Sequence, residues 1–121
     1  MTTDQRHALG VLGEELAARH LERLGYTIVA RRHRTRFGEL DIVAREGDTL
    51  VFAEVKARRA GPTSPYDAIG EPKQAQVRRM GAAYLHDERP PFSERVRFDA
   101  IAVTIDGAGK LVALEHLEGA F

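Results

Sequence analysis

Between Leu9 and Gly25 apolar residues recur at helical spacing. Leu9, Leu12, Leu16, Ala17, His20 and Leu24 share one face, and Gly25 is a stop signal. The period then falls to two: Tyr26, Ile28 and Ala30 alternate with Thr27, Val29 and Arg31, which predicts a short strand. An Arg-rich run leads to Gly38. From Gly38 to Lys56 two strands are predicted around the turn signal Glu46-Gly47-Asp48-Thr49. Residues 60–72 hold Gly61, Pro62, Pro65, Gly70 and Pro72 and read as a loop. A second helix is predicted from near Pro72 to about His86, with Lys73, Val77, Met80, Gly81 and Tyr84 on one face. Pro90-Pro91 breaks that pattern. Val96 to Ile105 reads as a strand, Asp106 to Gly109 as a turn, and Lys110 to His116 as a last strand. The order α-β-β-β-α-β-β predicts an α/β fold with helices on a mixed central sheet. With 121 residues and no internal repeat, one domain spanning 1–121 is expected.

Composition removes several classes of function. No apolar run approaches the roughly 20 residues of a membrane span. The stretch from Met1 to His7 is polar and lacks a signal-peptide core, so a cytosolic location is the default expectation. The absence of cysteine excludes disulfides, thiolate metal sites and a cysteine nucleophile. No pair of the five histidines has zinc-site spacing, and His86 and His116 read as element-end residues.

The 18 Lys and Arg balance the 18 Asp and Glu, which argues against a purely electrostatic nucleic-acid binder. The distribution is uneven, however. Arg31, Arg32, Arg34 and Arg36 crowd one segment around His33, and Arg58 and Arg59 follow Lys56 closely, so a basic patch is expected on a neutral domain.

The 38–56 hairpin carries charge where a buried sheet should be apolar. If Arg45 pairs with Leu50, Asp41 lies opposite Glu54 and Glu39 opposite Lys56, all four on one face. A one-residue slip would divide them between faces. Opposed residues have Cβ atoms roughly 4.5–5.5 Å apart, and like charges there destabilise a strand pair. A cation between Asp41 and Glu54 would resolve the conflict. Lys56 supplies one charge, and Mg²⁺ or Mn²⁺ would supply two, with the Val55 carbonyl as an extra oxygen donor. Such a site suits phosphodiester hydrolysis, with Lys56 orienting water or stabilising charge on the phosphate. The competing interpretation is an exposed salt-bridge cluster of Asp41, Glu54 and Lys56. The apolar neighbours Val51, Phe52, Ala53 and Val55 weigh against it, because exposed sheet faces alternate more cleanly. Helix geometry alone reads Glu14, at the edge of the first apolar stripe, as a solvated acid.

Asp41 followed by Glu54-Val55-Lys56 resembles the PD-(D/E)-x-K nuclease signature. In order, Gly13-Glu14, Gly25-Tyr26, Gly38-Glu39-Leu40-Asp41, Glu54-Val55-Lys56 and Lys73 are similar to the YraN-like family of small bacterial proteins. The resemblance covers about residues 8 to 105. It implies a restriction-endonuclease-like fold, with a core similar to that of Holliday-junction resolvases. It also implies that Glu14 joins Asp41 and Glu54 as a metal ligand, reversing the helix-only reading, and that Lys56 is the catalytic lysine. Glu39 and Lys73 match supporting positions: Glu39 would pair across the strands with Lys56, and Lys73 would contact phosphate or the carboxylates. The chain departs from the wider pattern at Leu40, where the signature has proline, and at His33, where the family more often has asparagine.

Two functions follow as expectations. One is a Mg²⁺- or Mn²⁺-dependent endonuclease acting on DNA, selective for DNA structure, with RNA left open, and with Arg31, Arg32, Arg34, Arg36, Arg58 and Arg59 as substrate grip. The other is a non-catalytic nucleic-acid-binding or protein-interaction module on the same fold. Related folds often act as dimers, so a homodimer is an open expectation.

Overall fold

The computed structural model describes residues 2–61, 69–90 and 95–121. Its elements are α1 (Thr3–Arg23), β1 (Thr27–Thr35), β2 (Gly38–Glu46), β3 (Thr49–Arg59), α2 (Glu71–Glu88), β4 (Arg95–Ile105) and β5 (Leu111–Leu117). This is the order expected from the sequence. The strands form one mixed sheet in the order β1-β2-β3-β4-β5, antiparallel except for the parallel pair β3–β4 that α2 connects. Among the described residues no helix is long and apolar enough to cross a membrane.

The boundaries differ most from expectation at two places, each with a local cause. The first helix starts at Thr3 rather than Leu9, because Thr2 and Gln5 form a capping box: the Gln5 N–H donates to Thr2 Oγ1 at 3.1 Å and the Thr2 N–H to Gln5 Oε1 at 2.8 Å. The first strand runs on to Thr35 through the arginines. It is an edge strand, where charged side chains keep contact with water and block further strand pairing. The middle of the expected 60–72 loop, residues 62–68, lies outside the described residues.

Each face of the sheet carries a helix. Leu9, Ala17, Ala18 and Leu21 of α1 pack on Ile42, Ala44, Val51, Ala53, Ile101, Val103 and Ile105. Val77, Met80 and Tyr84 of α2 pack on Leu40, Val43, Leu50 and Phe52. With both faces covered, Leu50 to Ala53 form a continuous buried run, which hides the alternation usual in a half-exposed strand.

Gly13 sets how closely α1 approaches β3. A Cβ there would stand 2.5 Å from Ala57 Cβ, on a strand that cannot yield as a flexible side-chain end could. Alanine would gain about 0.5–1 kcal/mol in helix propensity. The overpacking costs about 1–3 kcal/mol and should outweigh that gain. Gly13→Ala is therefore expected to lower the midpoint of urea unfolding; an unchanged or higher midpoint would contradict this tight packing.

Candidate metal and phosphodiester site

The β2–β3 ladder has the anticipated register, with Arg45 paired to Leu50, and runs to Ile42–Ala53. Beyond that pair the ladder stops short of the next position. There the Asp41 carboxylate takes over: the Val55 N–H donates to Asp41 Oδ2 at 2.9 Å. On the other side, β1 pairs with β2 at Arg31–Ile42 and at His33–Leu40, passing over Arg32 and Asp41. Arg32 has φ 49°. That left-handed conformation costs a residue with a Cβ roughly 1–2 kcal/mol and marks the neighbourhood as specially shaped. The same irregularity turns Leu40 towards α2 alongside Val43, while Ile42 faces α1. The structure thus breaks strict alternation at the position that carries the acid.

Asp41 and Glu54 are in electrostatic contact in a confined place. Glu54 is only 8% exposed, its Oε1 lies 3.3 Å from Lys73 Nζ, and its Oε2 is buried without a hydrogen-bond partner. Burial, followed by the charge of Glu54, pushes the Asp41 carboxyl up to about 8 against the opposing hydrogen bond from Val55; Glu14 adds a further upward push. Burial also raises Glu54, with Lys73 pulling it back. The pair therefore holds a proton near neutral pH unless a cation takes its place.

The other expected members are arranged around this pair. Lys56 is exposed and lines a cavity of about 240 Å³ together with Glu54, Val55, Ile69, Gly70 and Lys73. Glu14 sits one residue beyond the Gly13 contact, and Arg32 Nε donates to its Oε1 at 2.9 Å. Its charge reaches both Asp41 and Glu54. Even so, among the described residues no three acidic or histidine side chains gather closely enough to surround one metal ion. Glu39 does not meet Lys56: it lies 3.7 Å from Arg34, its registered partner on β1, because the β2–β3 ladder has already ended.

The six arginines expected as substrate grip divide into groups. Arg31 is 2.9 Å from Glu15, and Arg32 is bound to Glu14, so α1 neutralises both. Arg34 keeps 79% of its side chain exposed despite Glu39, and Arg36 lies over the Phe37 ring. Arg58 reaches Thr104, and Arg59 donates to the Asp106 carbonyl at 2.7 Å.

One cluster was not legible beforehand. Asp99 is fully buried on β4 and receives Arg97 Nε at 2.8 Å, Arg97 Nη2 at 2.9 Å, the Gly119 N–H at 3.0 Å and His116 Nε2 at 2.7 Å. His20 of α1 meets His116 Nδ1 at 3.1 Å. Burial pushes Asp99 up, but its bonds from His116, Arg97 and Gly119 outweigh burial and hold it below the usual range. His116 is thus no loose element end; it ties β5 to β4 and α1. The sequence signal was an aspartate inside the apolar run Phe98-Asp99-Ala100-Ile101.

Comparison with known proteins bears on the same residues. A family model described as "Uncharacterised protein family UPF0102" matches residues 13–103, a span that contains Glu14, Asp41, Glu54, Lys56 and Lys73. A UPF0102 protein of Rhodococcus jostii is 47% identical over 115 residues, covering 94% of this chain and 96% of its own. One from Pelotomaculum thermopropionicum is 43% identical over 119 residues, covering 98% of each chain. One from Geobacter sulfurreducens is 47% identical over 114 residues, covering 93% of this chain and 88% of its own.

Proposed function

The chain belongs to the UPF0102 family, and from that premise we propose that it is a metal-dependent endonuclease hydrolysing phosphodiester bonds in DNA. The observation that carries this reading is the pairing of half-buried Asp41 with buried Glu54, with Glu54 Oε2 unpartnered and Asp41 pushed up to about 8. Two carboxylates side by side in a low-dielectric site are costly, and hard oxygen donors of this kind suit Mg²⁺ or Mn²⁺. The α-β-β-β-α-β-β order agrees with the restriction-endonuclease-like core expected for such an enzyme.

Asp41 and Glu54 would hold the cation, with the Val55 carbonyl and Glu14 as further donors. When bound, a divalent cation supplies positive charge that polarises a phosphate oxygen and lowers the pKa of a water. The remaining work falls to the chain's own side chains. Lys56, exposed at the cavity beside Glu54, stabilises the negative charge that grows on the phosphate oxygens. Lys73 holds Glu54 in position and offsets part of the carboxylate repulsion before substrate arrives. Arg32 holds Glu14 at the edge of the site through its Oε1.

The test is incubation of the protein with branched, flapped and single-stranded DNA and Mn²⁺. Wild type is expected to cut at least one of them. Glu54→Gln is expected to be slower by roughly 10³-fold or more, equivalent to several kcal/mol of lost charge stabilisation. A wild type that cuts none, or a Glu54→Gln variant as active as wild type, defeats the proposal. The Glu14–Arg32 ion pair favours a second reading, a binding module without catalysis. That reading expects DNA binding that weakens with salt and with loss of Arg34 and Arg36 but is indifferent to Glu54→Gln.

A further inference from the structure

The turn between β1 and β2 presents an aromatic ring to solvent on a rigid mount. Arg36 and Phe37 form the two-residue turn, and Phe37 is 40% exposed and belongs to neither core cluster. A flexible tip could be dismissed as chance exposure, but this one is fixed from three sides. Thr35 Oγ1 accepts the Phe37 N–H at 3.1 Å and donates to the Gly38 carbonyl at 2.8 Å, and Thr35 is itself only 9% exposed. Gln76 Nε2 of α2 donates to the Phe37 carbonyl at 2.8 Å. Gly38, at φ 132°, packs so closely under α2 that a Cβ would stand 2.7 Å from Gln76 Nε2 and 3.1 Å from Met80 Sδ. The Arg36 guanidinium lies 5.3 Å from the Phe37 ring centroid, and the exposed Arg34 is nearby on the same hairpin.

The tip is also in line with the carboxylate pair. Gln76, which holds the tip, and Lys73, which holds Glu54, are three residues apart and so neighbours on one helix face. Asp41 lies four residues after Phe37, about 14 Å at ~3.4 Å per residue of extended chain. That is about four base steps at ~3.4 Å per step along one nucleic-acid strand.

An exposed flat ring flanked by cations is the combination that binds unpaired bases: the ring stacks on a base of any sequence while arginines meet the backbone phosphates. A fully paired duplex offers such a ring no free base face except at its ends. Resting on the nuclease reading above, we propose that Phe37 stacks on an unpaired base at a boundary between single- and double-stranded DNA, with Arg34 and Arg36 on the adjoining phosphates. Phe37 is then the residue through which the chain selects branched or frayed DNA, and the cut falls within about four nucleotides of the boundary.

The experiment uses the whole chain without divalent metal, so that binding is read without cleavage. The probe is forked DNA carrying 2-aminopurine at the first unpaired position, with a blunt duplex of the same length as control. Wild type is expected to quench the 2-aminopurine and to prefer the fork. Phe37→Ala is expected to lose the quench and to bind the fork roughly 5- to 150-fold more weakly, the loss of one stacked base, while its duplex binding stays unchanged. Phe37→Tyr should keep both properties. Equal fork binding and quench by Phe37→Ala overturns the inference. If in addition wild type cuts DNA and Glu54→Gln does not, the nuclease reading survives that failure. A wild type that neither binds nor cuts the fork overturns both.

Discussion

Asp41→Asn is expected to make the metal-free protein more stable at pH 8 while removing its response to Mn²⁺. The sign follows from the raised carboxyl. An aspartate ordinarily titrates near about 3.9, whereas burial and the charge of Glu54 push Asp41 up to about 8 in the folded chain. Between these values the folded state binds more protons than the unfolded one. The contribution of Asp41 to stability is therefore fully present below about pH 4 and is lost as pH rises towards 8. Asparagine stays neutral, and its side-chain oxygen can still accept the Val55 N–H. The gain at pH 8 should be about 1–3 kcal/mol, in the range for relieving a poorly satisfied buried group, and should shrink towards pH 4. Mn²⁺ at 100 times its Kd would stabilise wild type by about 2.7 kcal/mol and the variant hardly at all. Urea unfolding at pH 5 and pH 8, with and without Mn²⁺, reads all of these. A variant less stable than wild type at pH 8, or one stabilised equally by Mn²⁺, contradicts the account.

The largest loss of stability is expected at Asp99, which pairs across β3–β4 with Ala53, the neighbour of Glu54. Asp99→Ala removes the acceptor for two Arg97 bonds, the His116 ring and the Gly119 N–H at once. It leaves Arg97, whose side chain is 23% exposed, without its main counter-charge. Breaking a buried ion pair from one side costs about 3–5 kcal/mol. The partial exposure of Arg97 places this case near the lower end, at about 3 kcal/mol. Against a total stability of about 5–15 kcal/mol, that is a large fraction. Chemical denaturation of Asp99→Ala should show it, and a loss below about 1 kcal/mol would mean that the cluster is not the fastening between β5, β4 and α1 that its distances indicate.

The element order and the turn register of the hairpin were legible because they rest on local signals. Glu46-Gly47-Asp48-Thr49 sets the β2–β3 register through the turn, and Pro72 and Pro90 bracket α2. What could not be read depended on tertiary departures from regularity. The ladder ends after Ile42–Ala53, so the pairing of Glu39 with Lys56 that strict alternation required does not occur. A sequence does not show that α1 lays Glu15 and Glu14 against Arg31 and Arg32, two of the arginines expected as substrate grip. Asp99 and His116, seventeen residues apart, meet only because β4 and β5 pair. Helical spacing puts Lys73 at the entry of a core-facing helix side, and the structure gives it a specific partner, Glu54.

The proposed chemistry requires that the Asp41–Glu54 pair take a divalent cation. The most direct measurement is calorimetric titration of Mn²⁺ into the protein near pH 7.5, in two buffers of different ionisation enthalpy. Because the pair holds a proton before the cation arrives, binding must expel it, and the heat will depend on the buffer. The predicted result is saturable uptake at one site with proton release, abolished in Asp41→Asn. Absence of uptake, or uptake that persists unchanged in Asp41→Asn, would contradict the account.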